Sequence, residues 1–344
     1  MSLFLQPLAA AFRMGVAVRR AGYRRGWFKT GQLKRPVVSV GNLTVGGTGK
    51  TPLVANIAGI LLRRGFKPGV LTRGYGRTSK DKMIIVEPGT GRHSSAQDIG
   101  DEPALLARAL PELNLVICAD RLRGGQVAED LCHVDAHVLD DGFQHWALAR
   151  DLDVVALDAT QPLSDWRLLP AGRQREPISA LRRAQIVVLT RTDSADPRPL
   201  EKLVVRAHPA AKLFRSRTEL LGWNDALTGE AAPIEELRIQ KVAAFCGLGN
   251  PQAFFSDLRR WGFDLVGEDA FPDHHVYTVD DLQRLATDAR KKGAATLLTT
   301  QKDAVKIPGD WNPPLPILAC KIEAQIVDAE EFERTLLTFL EKAR

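Results

Sequence analysis

A chain of 344 residues exceeds the length at which one hydrophobic core usually suffices, and this length indicates two domains. Its 44% hydrophobic and 26% charged residues are typical of a globular α/β protein and exclude a disordered or collagen-like chain. The four cysteines form no C-x-x-C pair, which favours reduced core thiols of a cytosolic protein over a metal site. No apolar run reaches the roughly 18 residues of a membrane-spanning helix, and the N-terminus lacks the pattern of a signal peptide.

The first predicted element is a basic helix over residues 3–25. The net charge of +6 is unevenly distributed, because the first 80 residues contain 15 of the 47 lysines and arginines and none of the 41 acids. Basic residues alternate with apolar and aromatic ones, which fits an interfacial membrane helix and fits equally a helix docked on the domain with a solvated basic face. No motif supports the third interpretation, nucleic-acid binding. The basic residues are Arg13, Arg19, Arg20, Arg24, Arg25, Lys29, Lys34 and Arg35.

A predicted strand over residues 36–40 leads into a glycine-rich turn at residues 41–49 and then into a helix. Together they form a phosphate cradle, in which backbone N–H groups and the helix dipole favour anions, Lys50 reaches the terminal phosphates and Thr51 is placed to bind Mg²⁺. The strict motif requires glycine where this chain has Thr44. The predicted phosphate-binding residues are Thr44, Val45, Gly46, Gly47, Thr48, Gly49, Lys50 and Thr51.

Short β-branched runs alternate with helical patterns after this loop, which predicts a mostly parallel sheet with flanking helices. The pattern changes near residues 214–240, where residues 214–221 and 236–245 are extended and a turn separates them. The predicted strands are 36–40, 68–72, 83–86, 114–118, 136–140, 153–157, 185–190, 242–246, 264–267, 296–300 and 316–320. The predicted helices are 3–25, 52–65, 101–109, 121–131, 198–207, 251–261, 279–292 and 329–343.

These elements divide the chain into four predicted parts. Residues 1–30 form the basic amphipathic helix, and residues 31–214 form an α/β domain of the P-loop NTPase type. A linker over residues 215–240 then leads to a smaller C-terminal α/β domain over residues 241–344.

The run at residues 138–145 is an apolar strand that ends in two acids, Asp140 and Asp141. A carboxylate at the carboxyl end of a strand beside a phosphate loop can bind Mg²⁺ directly or through water. The alternative is two acids of an ordinary turn before a glycine. Because a phosphate loop lies upstream in the same sheet, we favour the metal-binding interpretation.

Asp101 and Glu102 stand at the start of a predicted helix. Acids in a first helical turn often serve only as caps or as partners of the helix dipole. The functional interpretation is that one acid removes the proton of an alcohol nucleophile while the other completes the metal site.

Two arginine-bearing loops suit anions or the edge of a substrate. In residues 73–77 two arginines flank Gly-Tyr-Gly, and residues 169–177 contain two arginines, Arg173 and Arg175. A third loop, residues 271–277, contains an Asp-His pair that can tune a base. Each of these loops is equally compatible with an ordinary solvent-exposed turn.

The motifs in their order resemble one known family. Residues 39–42 and 46–52, 73–77, 100–103, 140–145, 175–177, 245–251 and 273–274 together resemble the tetraacyldisaccharide 4′-kinases of lipid A biosynthesis. The resemblance covers about residues 3–340. Thr44 agrees with it, because the loop of this family is Gly-Gly-Thr-Gly-Lys-Thr.

This resemblance implies transfer of phosphate from ATP, with Mg²⁺, to the 4′-hydroxyl of a lipid A disaccharide-1-phosphate precursor. It implies two α/β/α domains joined by a two-stranded linker, with the site between them at the cytoplasmic face of the bacterial inner membrane. Anionic lipid would then meet the basic N-terminal helix. We expect a monomer and no nucleic-acid partner.

The resemblance also implies roles for individual residues. Asp101 would be the base and His274 would orient it, while Lys50 and Thr51 would bind phosphate and Mg²⁺. The metal-site residues would be Thr51, Glu102, Asp140 and Asp141, and the residues near substrate or phosphate would be Asn42, Tyr75, Arg121 and Arg175.

Two other functions stay open at this point. The chain could be a GTPase or ATPase switch of the metallochaperone type, because residues 190–193, Thr-Arg-Thr-Asp, are similar to the guanine-reading element of GTPases. Against this, Val45 stands where such proteins carry a lysine, and no cysteine or histidine cluster could deliver a metal. A basic membrane-binding module with a vestigial loop is disfavoured by the acids at residues 101, 140 and 141.

Overall fold

The computed structural model describes residues 6–91, 96–233, 237–308 and 311–343. In this part of the chain, thirteen strands form one mostly parallel sheet. The strands are β1 Val37–Asn42, β2 Pro68–Thr72, β3 Met83–Val86, β4 Asn114–Cys118, β5 Ala136–Asp140, β6 Leu152–Asp158, β7 Ile186–Thr190, β8 Lys212–Asp225, β9 Ala231–Ala232, β10 Lys241–Cys246, β11 Asp264–Ala270, β12 Thr296–Thr300 and β13 Ile317–Ile326.

Helices cover the sheet, as parallel strands require. The helices are α1 Gln6–Arg24, α2 Lys50–Arg63, α3 Ala96–Ile99, α4 Asp101–Ala109, α5 Arg121–Leu131, α6 Arg198–Ala207, α7 Pro251–Arg260, α8 Val279–Lys291, α9 Gln301–Ala304 and α10 Ala329–Ala343. None of the helices in the described ranges is long and apolar enough to cross a bilayer.

The strand order is β11-β10-β12-β13-β8-β7-β6-β1-β5-β2-β4-β3, with β9 beside β8. Neighbours are parallel except for the pairs β3–β4, β8–β9 and β8–β13. We call residues 6–211 the N-terminal half and residues 241–316 the C-terminal half. The phosphate-loop strand β1 lies between β5 and β6, in the middle of the N-terminal half. The carboxyl ends of these strands therefore meet at one edge, where ligands bind in open α/β sheets.

The α/β prediction is confirmed, but the connection between the halves differs from the predicted pair of extended segments at 214–221 and 236–245. Strand β8 pairs with β7 at its start and then runs antiparallel to β13, from Ser216 opposite Ile326 to Asp225 opposite Leu318. Residue 236 lies outside the described residues, and β10 begins at Lys241. The last strand was predicted over residues 316–320, whereas β13 continues to Ile326. Residues 321–326 alternate polar and apolar side chains, which is the pattern of a half-exposed strand.

The last helix, α10, returns to the N-terminal half. Its buried Phe332, Leu336 and Leu340 belong to the same apolar core as residues of β1 and α2, and the rings of Phe214 and Phe332 meet edge to face at 5.2 Å. The part predicted as residues 241–344 thus shares its final helix with the N-terminal half, because β13 carries the chain back across the sheet.

Two helix boundaries also shifted from their predicted positions. Helix α2 begins at Lys50 and ends at Arg63, whereas residues 52–65 were predicted; Gly65, with φ of 79°, lies beyond its end. Helix α1 is described from Gln6, so residues 3–5 of its predicted range lie outside the described residues.

Candidate active site

The phosphate loop turns on two glycines that no other residue could replace without strain. Gly46 has φ of 105° and Gly49 has φ of 76°, both in the left-handed region. A Cβ on Gly46 would also lie 2.2 Å from a guanidinium nitrogen of Arg173. Because α2 begins immediately after Gly49, the first N–H groups of that helix face the loop and form an anion site.

The loop is fixed from below by buried polar contacts. The Asn42 side-chain amide donates to the Thr48 hydroxyl at 2.8 Å, and the Thr190 hydroxyl donates to the Thr48 carbonyl at 3.1 Å. Thr44 forms an antiparallel bridge with Gln174, a residue of the loop at 169–177. These contacts fix the loop before any ligand binds, which is the preorganisation that phosphate binding requires.

Lys50 and Arg175 both contact Asp141 at the end of β5. The Lys50 ammonium lies 3.3 Å from Asp141 Oδ1, and one Arg175 nitrogen contacts the two carboxylate oxygens at 3.0 and 2.7 Å. Burial raises the pKa of Asp141, but the two cations outweigh burial and lower it below its usual value. Asp141 is therefore ionised and holds both cations beside the loop.

Asp140 has the opposite environment from its neighbour. Burial, followed by the charges of Asp141 and Glu102, raises the pKa of Asp140 to about 6, although Thr72 donates a 3.1 Å hydrogen bond to it. A divalent cation would relieve this repulsion between carboxylates.

The donors present fit Mg²⁺ in the way that kinases use it. In the described ranges, no group of three or more His, Cys, Asp or Glu side chains could hold a metal by itself. Mg²⁺ usually binds through one or two carboxylates together with substrate phosphates and water. The carboxylates of Asp140, Asp141 and Glu102 and the hydroxyl of Thr51 can supply the protein's share.

Asp101 meets His274 from the C-terminal half. His274 Nδ1 lies 3.0 Å from Asp101 Oδ2, and the Lys306 ammonium lies 3.8 Å from the same oxygen. Asp101 begins α4, directly after Gly100; a Cβ on Gly100 would lie 3.0 Å from the Tyr75 carbonyl. The close packing of these two turns places the Tyr75 ring 5.2 Å from the His274 ring.

Left-handed backbone occurs at three non-glycine residues around this centre. Asp141 has φ of 50°, Arg191 has φ of 56° and His274 has φ of 62°. Such conformations are uncommon outside glycine and cluster at functional sites. All three side chains line the same cavity, which supports a role for this cavity in function.

A cavity of about 780 Å³ brings the two halves together. Its walls also include Arg19 of α1 and an apolar region with Phe254 and Trp261. The predicted site residues that line it are Val45, Gly46, Gly47, Thr48, Gly49, Lys50, Thr51, Tyr75, Glu102, Arg121, Asp140, Asp141, Arg175 and His274.

Three predicted site residues lie behind the cavity wall. Thr44 is 1% exposed and Asn42 is 0% exposed, so the Asn42 side chain supports Thr48 from below and does not reach the cavity in this structure. Asp101 is 6% exposed and touches the wall through His274.

Arg121 and Tyr75 differ in exposure on the wall of the cavity. Arg121 is buried. Burial is the main cause that lowers the pKa of Arg121, and the charge of Arg73 lowers it further, while the charges of Asp140 and Asp141 raise it. Tyr75 is 65% exposed. The cavity wall therefore includes both a buried arginine and an exposed aromatic ring.

The C-terminal half also covers the phosphate loop. Arg173 donates to the carbonyls of Val45, at 3.3 Å, and Gly249, at 3.2 Å. A Cβ on Gly249 would lie 3.0 Å from Gly46 Cα. The two halves therefore touch at the loop itself, and Gly249 must be glycine for this contact.

The contacts of Asp193, the residue that would read guanine, argue against the GTPase alternative. Asp193 forms an ion pair with Arg260 and accepts a hydrogen bond from the Thr218 backbone N–H at 3.4 Å. Arg191 pairs with Asp158 at 2.7 Å and donates to the Gly47 carbonyl. These residues support the loop, and the carboxylate that would read guanine is already occupied.

Several residues of the site were missed by the sequence analysis. Lys302 lies in the short helix α9 and Lys306 lies just after it, and nothing in the local sequence connects either lysine to residue 101. Arg173 and Gly249 lay within motifs that were noted, in the loops at 169–177 and 245–251, but the contact between those loops joins residues far apart in sequence.

The phosphate loop, the strand-end carboxylates and the carboxylate–histidine pair across two halves define the class: a P-loop phosphotransferase. Comparison with known proteins narrows this class to one family. The sequence model described as "Tetraacyldisaccharide-1-P 4'-kinase" matches residues 1–341. The chain therefore belongs to the tetraacyldisaccharide 4′-kinase family, which confirms the resemblance found in its motifs.

Relatives match the chain over most of their length. The tetraacyldisaccharide 4′-kinase of Geobacter metallireducens is 40% identical, covering 96% of this chain and 96% of that protein. That of Anaeromyxobacter dehalogenans strain 2CP-C is 43% identical, covering 93% and 84%. The crystal structure of "apo" form LpxK from Aquifex aeolicus in complex with ATP superimposes with a TM-score of 0.78 at 31% identity, covering 98% of this chain and 99% of that chain.

Proposed function

We propose that this chain transfers the γ-phosphoryl group of ATP to the 4′-hydroxyl of tetraacyldisaccharide 1-phosphate, which gives lipid IVA in lipid A biosynthesis. The observation that carries this proposal is the 3.0 Å contact between Asp101 and His274 at the wall of a cavity that also contains Lys50. A phosphate loop alone supports nucleotide binding, whereas a paired carboxylate opposite the loop supports transfer to a hydroxyl.

Asp101 has one oxygen for orientation and one for chemistry. Its contacts with His274 and Lys306 both involve Oδ2. Oδ1 is therefore the oxygen that can accept the proton of the 4′-hydroxyl as that group attacks phosphorus. The His274 hydrogen bond and the ion pair with Lys306 hold the carboxylate in this orientation until then.

The phosphate end of the site supplies positive charge. Lys50 and the N–H groups of the loop meet the terminal phosphates, and Arg175 is held beside them by Asp141. Mg²⁺, held by Asp140, Asp141, Glu102 and Thr51, would neutralise phosphate oxygens when bound. Phosphoryl transfer depends mainly on such positioning and charge neutralisation.

Contact between the halves would exclude water. Arg173 and Gly249 join the C-terminal half to the phosphate loop at one point, and His274 and Asp101 join it to α4 at another. Because the centre is complete only when both contacts form, phosphate is transferred to the bound alcohol in preference to water.

Helix α1 supplies a surface for the lipid. Gly22 is its one buried residue among those described, and the exposed apolar side chains Leu8, Met14 and Val18 are 58%, 66% and 58% exposed. Arg19 of the same helix lines the cavity. This arrangement favours the interfacial interpretation of α1 over the docked one, and it supports a peripheral position at the cytoplasmic face of the inner membrane.

Vesicle co-sedimentation tests the role of α1. Replacing the exposed Arg13 and Arg24 by glutamine should weaken partitioning onto phosphatidylglycerol vesicles about 30-fold, because each arginine contributes about 1 kcal/mol near an anionic surface. Arg198→Gln, an exposed arginine on α6, is the matched control and should leave partitioning unchanged. Equal partitioning of all three proteins would reject the interfacial role.

The function itself is tested by ³²P transfer from ATP to tetraacylated disaccharide 1-phosphate in detergent micelles. We expect labelled product from the natural acceptor and none from the same lipid with its 4′-hydroxyl methylated. Label on the methylated lipid would show a different acceptor atom, and equal hydrolysis of ATP with and without acceptor would reject the kinase proposal.

A further inference from the structure

Lys302 reaches from the C-terminal half to the imidazole that orients the base. It belongs to the short helix α9, directly after β12, and its side chain is 18% exposed. Its ammonium lies 3.4 Å from His274 Nε2, 3.3 Å from Asp273 Oδ1 and 3.4 Å from Glu102 Oε1. Lys302 thus touches both halves of the molecule and the histidine between them.

The contact with His274 determines which ring nitrogen carries the proton. An ammonium can only donate hydrogen bonds, so Nε2 must accept, and the single N–H of a neutral imidazole is then at Nδ1. Nδ1 is the atom 3.0 Å from Asp101 Oδ2, where a donor is required. The chain of donors therefore runs from Lys302 to His274 to Asp101.

The other groups around His274 agree with this assignment. Glu102 and Asp273 could accept a hydrogen bond from Nε2, but their nearest oxygens are each 3.9 Å from that nitrogen, beyond hydrogen-bond distance. The Tyr75 ring packs against the imidazole in a tilted arrangement, with 5.2 Å between the ring centroids. Lys302 is the nearest polar partner of Nε2 among the described residues.

Lys302 is held in place by two carboxylates. Its ammonium forms ion pairs with Glu102 at 3.4 Å and with Asp273 at 3.3 Å. Glu102 and Asp273 also prevent the side chain from moving into solvent, since each is an ion-pair partner.

We propose that Lys302 is a positioning residue that fixes His274 as the Nδ1–H tautomer and thereby aims the Asp101 carboxylate at the acceptor. The inference rests on the proposed function for the role of Asp101, while the tautomer itself is a property of the free protein. Lys302 and His274 both belong to the C-terminal half, so this contact fixes the tautomer within that half, and the N-terminal half contributes the carboxylate of Asp101 that the imidazole meets.

The tautomer can be measured by long-range ¹H–¹⁵N correlation on the full chain labelled with ¹⁵N-histidine, at pH 8 and without ligands. His274→Gln identifies the signals, since they disappear in that variant. We expect the wild-type Nε2 to show the downfield shift of an unprotonated ring nitrogen. Lys302→Met should convert this pattern to a mixture of the two tautomers, whereas Lys302→Arg, which retains a donor-only cation, should preserve it.

Two controls separate positioning from a general structural effect. Lys291→Met removes an exposed lysine of α8 and should leave the His274 signals unchanged. Small-angle X-ray scattering of Lys302→Met should give the wild-type radius of gyration. A changed tautomer with a changed radius would mean that Lys302 acts by holding the halves together, and an unchanged tautomer in Lys302→Met would overturn the proposal.

Kinetics provides an independent reading. We expect Lys302→Met to lower kcat on the order of 10-fold to 100-fold, the usual cost of losing an orienting partner, with KM for ATP changed by no more than about twofold. A loss confined to KM would contradict a positioning role. Absence of phosphate transfer by the wild type would reject the proposed function, yet the tautomer result would stand separately.

Discussion

The phosphate loop and the Asp101 centre are built in opposite ways. Residues 41–51 are contiguous, and they are fixed by contacts within the N-terminal half, such as that between Asn42 and Thr48. The Asp101 centre joins residues 173 positions apart, with His274 contributed by the other half. The hydrogen bonds that order the phosphate loop thus come mainly from the N-terminal half, whereas the Asp101 centre requires a residue from each half.

The largest effect should come from the loop. Lys50→Ala removes the cation beside the phosphates, and we expect phosphate transfer to fall more than about 10³-fold because charge stabilisation at the transferred group is lost. The measurement is ³²P transfer at saturating ATP and acceptor. Lys202→Ala, an exposed lysine of α6, is the matched control. Turnover close to wild type in Lys50→Ala would remove the loop from the mechanism.

Asp101→Ala should lower kcat by roughly 10²–10⁴-fold, the range for loss of a general base. The affinity for ATP should be unchanged, because the hydrogen bonds that hold the phosphate loop come from Asn42 and Thr190 and do not involve Asp101. Equilibrium binding of a fluorescent ATP analogue and steady-state kinetics measure the two quantities separately. Asp196→Asn, an exposed acid, serves as control. An effect on ATP affinity equal to that on kcat would mean that the two centres are not separate.

Asp140 should make the apoprotein less stable at neutral pH than at acid pH. Its pKa is raised to about 6, so the folded state binds a proton that the unfolded state releases at lower pH, and this contribution is lost as pH rises through 6. Asp140→Asn should therefore stabilise the protein at pH 8, by at most about 3 kcal/mol, and have little effect near pH 4.

Urea denaturation at the two pH values, without Mg²⁺, measures this difference. Asp153→Asn is a suitable comparison, because Asp153 is also a buried strand acid but pairs with Arg150. A stabilisation of Asp140→Asn that is the same at both pH values would show that the ionisation of Asp140 is not the cause.

The smallest expected effect concerns the hydrogen bond between Asn42 and Thr48, which supports the phosphate loop. Asn42→Ala and Thr48→Val should each lower stability, and the double variant should lose less than the sum, with a coupling of about 1 kcal/mol for their hydrogen bond. Chemical denaturation of the four proteins gives this coupling. A coupling near zero would mean that Asn42 does not support Thr48, and a direct role with substrate would become the better explanation.

The contrast between the regions also explains how far the sequence could predict the molecule. Most strands and helices of the N-terminal half lie within two residues of their predicted bounds, because each has its own apolar pattern. The phosphate loop was predictable since glycine, lysine and threonine follow one another at fixed spacing.

Features that depend on contacts between residues distant in sequence could not be predicted from the local sequence pattern. The pairing of β8 with β13 joins residues about a hundred positions apart, and no pattern within either strand reveals its partner. Lys302 and Lys306 carry no recognisable motif. Even Asp101 and His274 were connected only by resemblance to a family, because an acid at a helix start is most often a cap.

The most direct test of a base assembled from both halves is a double-mutant cycle on kcat with Asp101→Ala, His274→Ala and the combined variant, measured by single-turnover ³²P transfer. If the pair acts as one unit, the combined variant should be no slower than Asp101→Ala alone. Losses that multiply would contradict this, since they would show that Asp101 and His274 act independently.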